Sequence, residues 1–469
     1  MNPRKYKKIF RWHFPVLFLL LLTYRLQAQQ SHYDSVIQEY KSISDRIIEQ
    51  AMANDSAFSR LAYFSDTFGP RLSGSENLEL AIDWIVAQMK QGALDKVHTQ
   101  KVKVPHWVRG EESVTLLQPR HKELPMLGLG GSIGTSRKGI TAPVLVVRDF
   151  RELRQNAEQA KGKIVLYNTP FTSYGKTVKY RMRGAIEAAK AGAVASLIRS
   201  VTPYSLGTPH TGSSEYQVGI PKIPTAAITI EDAEMMQRFQ NRGQPILVRL
   251  KMETQTLPDA DSRNIVAQIT GTERPDEIVV LGGHIDSWDV GQGAIDDAGG
   301  CFAAWEAVRL IKSLDLKPRR TIRLVMWTNE ENGLRGARTY YDQMSYDSVQ
   351  NHVLAIESDG GVFKPVGYGF SGSIRAYQMV SAIGNLLNPI EAGHITRGGG
   401  GADISPLMRD GVPGMGLIAD GSKYFWYHHS KADTIDKLNA DDFSKCIASM
   451  AVMAYVVADM PQTLPRYSK

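Results

Sequence analysis

The chain has 469 residues, 43% hydrophobic and 22% charged, which excludes disordered and fibrous proteins and predicts about two to three folded domains. Its formal net charge of +7 sits largely in residues 1–28, which carry six basic side chains (Arg4, Lys5, Lys7, Lys8, Arg11 and Arg25) and no acid; without them the charge is +1. That leaves no basic face for nucleic acid, and only two cysteines exclude a disulfide scaffold.

Residues 1–28 read as a signal peptide. A basic start is followed by the apolar run Phe14 to Leu22 and by the small residue Ala28, and the run is shorter than the ~20 residues of a membrane-spanning helix. The expectation is export to the periplasm or the extracellular space, with no stable membrane insertion after cleavage. Residues 34–53 predict an amphipathic helix. The turn-rich stretch from Phe68 leads to Ser75 as cap of a helix over Asn77–Gln91, and residues 97–108 alternate like a strand.

The character changes over residues 115–255. Short β-like runs at 143–147, 163–167 and 223–228 surround a helix at 183–193 that runs into Val194 to Ile198. His210 and Glu215 fall in a Gly/Ser/Thr-rich loop and read as loop surface, so the block reads as an inserted non-catalytic domain. It splits a main domain into residues 29–114 and 256–469. In the second part, strands at 264–269, 277–281, 321–327, 353–356 and 414–418 alternate with helices at 299–313, 334–344, 374–387 and 441–460. This pattern predicts an α/β fold with a mostly parallel mixed sheet and helices on both faces. Cys301 and Cys446 lie in separate helical patterns and read as small buried apolar residues.

In such a sheet functional groups collect beyond the carboxyl ends of the strands. His284 and Asp286 follow the strand at 277–281, Glu330 and Glu331 the strand at 321–327, and Glu357 and Asp359 the strand at 353–356. A Gly-rich loop brings Asp296 and Asp297 to a helix start, and His428, His429 and Asp433 precede the closing helix. Each group alone is ordinary: Asp-Asp before a helix is usually a cap, and Glu-Glu after a strand is usually solvated. Together on one edge they predict a site. Imidazoles and carboxylates without a thiolate suit a catalytic zinc or a similar divalent ion. A two-metal centre needs a carboxylate reaching two ions ~3.5–4 Å apart, and Asp296 is flanked by glycines that permit close approach.

The stretches GGHIDSWDVGQGAIDDAGG (282–300), NEEN (329–332), ESDGG (357–361) and HHSKADT (428–434) resemble the co-catalytic two-zinc aminopeptidase and carboxypeptidase family. The resemblance implies a zinc-peptidase (phosphorylase/hydrolase-like) fold with an inserted, β-rich, protease-associated-like domain. It assigns His284 and Asp359 to one zinc, Glu331 and His429 to the other, Asp296 as the bridge and Glu330 as general base. It turns Asp286 towards the ring of His284 and gives Asp297 to the helix start or the loop geometry. His429 fits the pattern His-x-x-x-Asp-Thr through Asp433; His428 and Asp403 become substrate contacts or supports around the metals. The implied function is a secreted exopeptidase acting on dipeptides or short peptides with free termini, a reading that admits a homodimer. A broad aminopeptidase on longer peptides, a glutaminyl cyclase and an inactive binding protein are the alternatives.

Overall fold

The computed structural model describes residues 38–466. The expected signal peptide and the start of the helix expected over 34–53 lie outside the described residues; within them the chain is helical over 38–52. Ser75 caps its helix as expected: its side-chain oxygen accepts from the Leu78 amide, and the helix runs Glu76–Gln91.

The main sheet has eight strands, in the order Asp95–Val108, Gln255–Ile269, Arg320–Trp327, Arg274–His284, His352–Glu357, Gly414–Ala419, Pro365–Ser371 and His394–Arg397. Its centre is parallel, from Arg320–Trp327 to Gly414–Ala419. Antiparallel pairing begins where Gln255–Ile269 meets Arg320–Trp327 on one side and where Pro365–Ser371 meets Gly414–Ala419 on the other.

Side chains alternate between two cores. Val279, Leu281, Leu324, Met326, Leu354 and Ile356 pack with helices Gly299–Ser313 and Ala440–Asp459. Ile278, Val280, Val325, Trp327 and Ala355 pack with helices Arg335–Asp342 and Ser405–Arg409. Both faces are covered, which is why these strands read as continuous apolar runs. Each fully buried aliphatic side chain contributes roughly 1.5–3 kcal/mol. Cys301 and Cys446 are buried free thiols.

A second eight-stranded sheet is built between Glu112 and Met252, from strands Lys122–Leu124, Glu112–Gln118, Leu247–Met252, Ile140–Val147, Ile164–Tyr167, Ala195–Arg199, Thr225–Ile228 and Met126–Gly128. Its helix Tyr174–Lys190 starts well before the expected 183, because the Lys/Arg-rich first half hides its period behind the alanines that follow. The helix expected over 374–387 ends at Gly384 and continues as a 3-10 turn over Asn385–Ile390, where Pro389 lacks the amide an α-helix needs. Among the described residues no helix is long and apolar enough to cross a membrane.

The register positions the site. His284 lies opposite Trp327 and Gly282 opposite Glu357, so three neighbouring parallel strands end at one level.

Candidate metal centre

The structure brings His284, Asp296, Glu331, Asp359 and His429 together. One oxygen of Asp296 lies 3.2 Å from His284 Nε2, and its other oxygen lies 3.3 Å from His429 Nε2. His284 Nε2 is also 3.5 Å from Asp359 Oδ1, and His429 Nε2 is 3.0 Å from Glu331 Oε2. Two donor sets thus meet at one carboxylate, in a largely buried setting.

The electrostatics follow from crowding acids and imidazoles out of water. Burial alone would raise Asp296, but His284 and His429 hold it well below the ordinary carboxylate range. Burial would lower both imidazoles, yet the surrounding carboxylates raise His284 well above its usual value and His429 to about 10. Glu331 is pushed up to about 7, chiefly by burial, and its Oε1 has no partner among the described residues.

The supporting contacts differ in part from expectation. His284 Nδ1 donates to the Asp286 main-chain carbonyl at 2.9 Å, whereas the Asp286 carboxylate is 3.8 Å away. That carboxylate instead accepts from the amides of Glu330 at 3.0 Å and Glu331 at 3.4 Å, fixing the loop that carries them. Asp297 accepts from the His284 amide and from Gly300 at the helix start, so it serves both loop and helix. A Cβ on Gly283 would lie 2.2 Å from the Asp297 carboxylate and one on Gly282 1.8 Å from the Val325 carbonyl, which explains the double glycine before His284. Asp433 accepts from the amides of Ile295 at 2.7 Å and Asp296 at 3.2 Å and holds the bridging residue by its backbone. Asp403 is buried with no hydrogen-bond partner for either oxygen among the described residues, and burial, with Glu357 and Glu330 nearby, raises it well above the ordinary carboxylate range.

The groups open on a cavity of about 650 Å³ lined by Asp296, Glu330, Glu331, Asp359, His428 and His429, and by Tyr174, Arg181, Tyr424 and Phe425. The Glu330 carboxylate faces it without a hydrogen-bond partner among the described residues, and burial pushes that group well above the ordinary range. His428 stacks on His429 with ring centroids 3.5 Å apart, and its Nε2 is 3.5 Å from Asp296.

Residues 264–454 match the model of peptidase family M28. The chain is 51% identical to carboxypeptidase Q of Xenopus laevis over 94% of this chain and 95% of that one. The chain belongs to peptidase family M28. It is 49% identical to human carboxypeptidase Q over 92% of this chain and 93% of that one. A peptidase M28 precursor from Shewanella amazonensis superposes with a TM-score of 0.87 at 32% identity, over 92% of this chain and all of that one. A zinc aminopeptidase of Bacillus subtilis shares the fold, with a TM-score of 0.66 at 21% identity over 87% of this chain and 96% of that one. As an M28 member the chain is a metallopeptidase.

This M28 chain recruits residues that sequence reasoning missed. Arg71, wholly buried, donates to the carbonyls of Ile285, Gln292 and Gly293 and so clamps the loop before Asp296. Ser73 bridges the Asp286 and Asn329 side chains. The turn-rich stretch 68–75 was visible, but nothing local tied it to a site. His210 is not loop surface: it is 2% exposed, and its Nδ1 donates to the His428 carbonyl at 2.6 Å. Burial lowers it to about 4 and keeps the ring neutral. Glu215 is exposed as expected, at the cavity rim. Arg181, from the helix Tyr174–Lys190, lies 5% exposed against His429, and no carboxylate pairs with it among the described residues. Nothing in the alternating Lys/Arg pattern of that helix marked it.

Proposed function

We propose that the chain is a two-zinc exopeptidase cleaving dipeptides and other short peptides with free termini. The observation that carries the reading is the Asp296 carboxylate, which turns one oxygen to His284 and the other to His429. Two donors bound at ~2.0–2.1 Å to one tetrahedral ion stand ~3.3 Å apart, and the four nitrogen-to-oxygen separations within the set run from 3.0 to 3.5 Å. The donor chemistry, imidazole and carboxylate without thiolate, fits zinc. His284 and Asp359 would hold one ion, Glu331 and His429 the other, with Asp296 shared.

Bound there, the ions would acidify a shared water and polarise the scissile carbonyl. Glu330 takes the proton of that water and returns it to the departing amine. Asp286 keeps Glu330 and Glu331 aimed by holding their amides. Tyr174, Tyr424 and Phe425 supply an aromatic part of the cavity wall beside these groups.

Arg181 supports the preference for free ends. In a metal-bound His429 whose Nε2 is occupied, Nδ1 carries the proton and donates to the Thr211 carbonyl, 3.3 Å away. The Arg181 guanidinium, 3.2 Å from Nδ1, then lacks an acceptor there, and a buried cation without a counter-charge is costly. A substrate carboxylate supplies one. Arg181→Met is expected to raise KM ~10–100-fold for dipeptides ending in a free carboxylate, as loss of hydrogen bonds to a charged group predicts. Matched C-terminal amides should be unaffected; equal loss on both would refute the assignment. The function itself is tested with purified protein, zinc quantified, on dipeptides, longer peptides and N-blocked peptides, with and without chelator. Full activity without metal would refute it, and equal rates on long peptides would favour a broad aminopeptidase.

We read residues 115–255 as an inserted protease-associated-like domain. The reading is supported by a sheet whose strands all fall between Glu112 and Met252. The export signal at 1–28 remains part of the proposal, and its test is the N-terminal sequence of the mature protein.

A further inference from the structure

We propose that the segment His210 to Ser213 is a strap from the second sheet that positions His429 and Glu331, and so sets how tightly that half of the centre keeps its ion. The inference rests on the two-ion reading above. It starts from the backbone of His429, whose φ of 58° lies in the left-handed region that a side chain disfavours. Such a residue persists only where its surroundings over-determine it.

The surroundings are the strap. His210 Nδ1 donates to the carbonyl of His428 at 2.6 Å, just before the strained residue. The Thr211 amide donates to the carbonyl of His429 itself at 2.9 Å. The exchange is returned, since the Thr211 carbonyl lies 3.3 Å from His429 Nδ1. A carbonyl accepting that proton fixes the tautomer that leaves Nε2 free for a metal. Two residues on, Ser213 Oγ donates to the main-chain carbonyl of Glu331 at 2.8 Å. The strap thus touches the two residues assigned to one ion. Among the described residues no bond from it reaches His284 or Asp359, assigned to the other.

The strap is itself held. The His210 amide donates to Ser200 Oγ at 2.9 Å, and Thr211 Oγ1 donates to the Gly128 carbonyl at 2.7 Å, both from the second sheet's side. The segment lies between strands Ala195–Arg199 and Thr225–Ile228 of that sheet, so the peptidase loops lean on a structure outside their own sheet.

The test uses the full chain, stripped and reloaded with zinc. Affinities are read by competition with a chromophoric chelator, and folding by thermal melting. In His210→Leu one of two zinc ions should be held ~10–100-fold more weakly, the range seen when outer partners of a metal site are removed. The other ion should bind as in the wild type. His210→Asn, whose amide presents an N–H where Nδ1 stood, should restore the affinity, and Ser213→Ala should weaken the same ion without lowering the melting temperature. Wild-type zinc binding in His210→Leu would overturn the proposal. So would equal weakening of both ions, or a loss that His210→Asn fails to rescue. Fewer than two zinc ions in the unmutated chain would overturn the two-ion reading first, and the strap with it.

Discussion

Glu330→Gln is expected to lower kcat ~10³-fold or more while leaving zinc content at the wild-type level. The prediction follows from how the carboxylate is kept. It faces the cavity with no hydrogen-bond partner among the described residues, so no neighbour competes for its lone pairs. Burial is the main cause that raises it, with Asp359, Glu331 and Asp286 adding to the effect and His284 opposing it. A base raised in this way binds a proton firmly enough to carry it from water to leaving group. Glutamine keeps the shape and removes the basicity. Because Glu330 is not one of the five residues assigned to the ions, the metals and KM should be little changed, which separates lost chemistry from lost binding. Steady-state kinetics beside metal analysis checks the result, and a variant that turns over normally would remove Glu330 from the mechanism.

The second large effect is expected at Asp296. In Asp296→Asn one arm of the side chain carries hydrogens instead of a lone pair, so whichever way the amide turns, one imidazole partner faces a donor. Zinc retained after dialysis against a chelator should fall to one ion per chain or fewer. Affinity should drop beyond the ~10²-fold that outer partners alone cause. The backbone at 296 stays anchored, because Asp433 holds the amides of Ile295 and Asp296 rather than the side chain. A variant that keeps both ions and full activity would show that Asp296 does not bridge.

The central strands and the residues at their ends were legible in the sequence because both depend on local pattern: apolar runs with His or carboxylate just beyond them. The last two strands on one side of the sheet, Pro365–Ser371 and His394–Arg397, were not, since one is broken by glycine and the other is four residues long. The site divided in the same way. His284, Asp296, Glu331, Asp359 and His429 announce themselves by motif. Arg181 and His210 reach the site from another sheet through tertiary packing, and their neighbours in sequence carry no trace of it. Asp286 shows a subtler limit. Its position near His284 was readable, but not that its carbonyl would take the ring proton while its carboxylate turned to Glu330.

The interleaving of the two sheets bears on how the protein is made. Asp95–Val108 pairs with Gln255–Ile269, so the main sheet brackets every strand of the second. A chain emerging from the ribosome therefore presents every strand of the second sheet, with Ser200 and Gly128 that anchor the strap, before His284 and His429 are synthesised. The Arg71 turn waits too, since the loop it clamps arrives some two hundred residues later. The set around Asp296 is consequently complete only once His429, the last of its residues in the chain, has been translated.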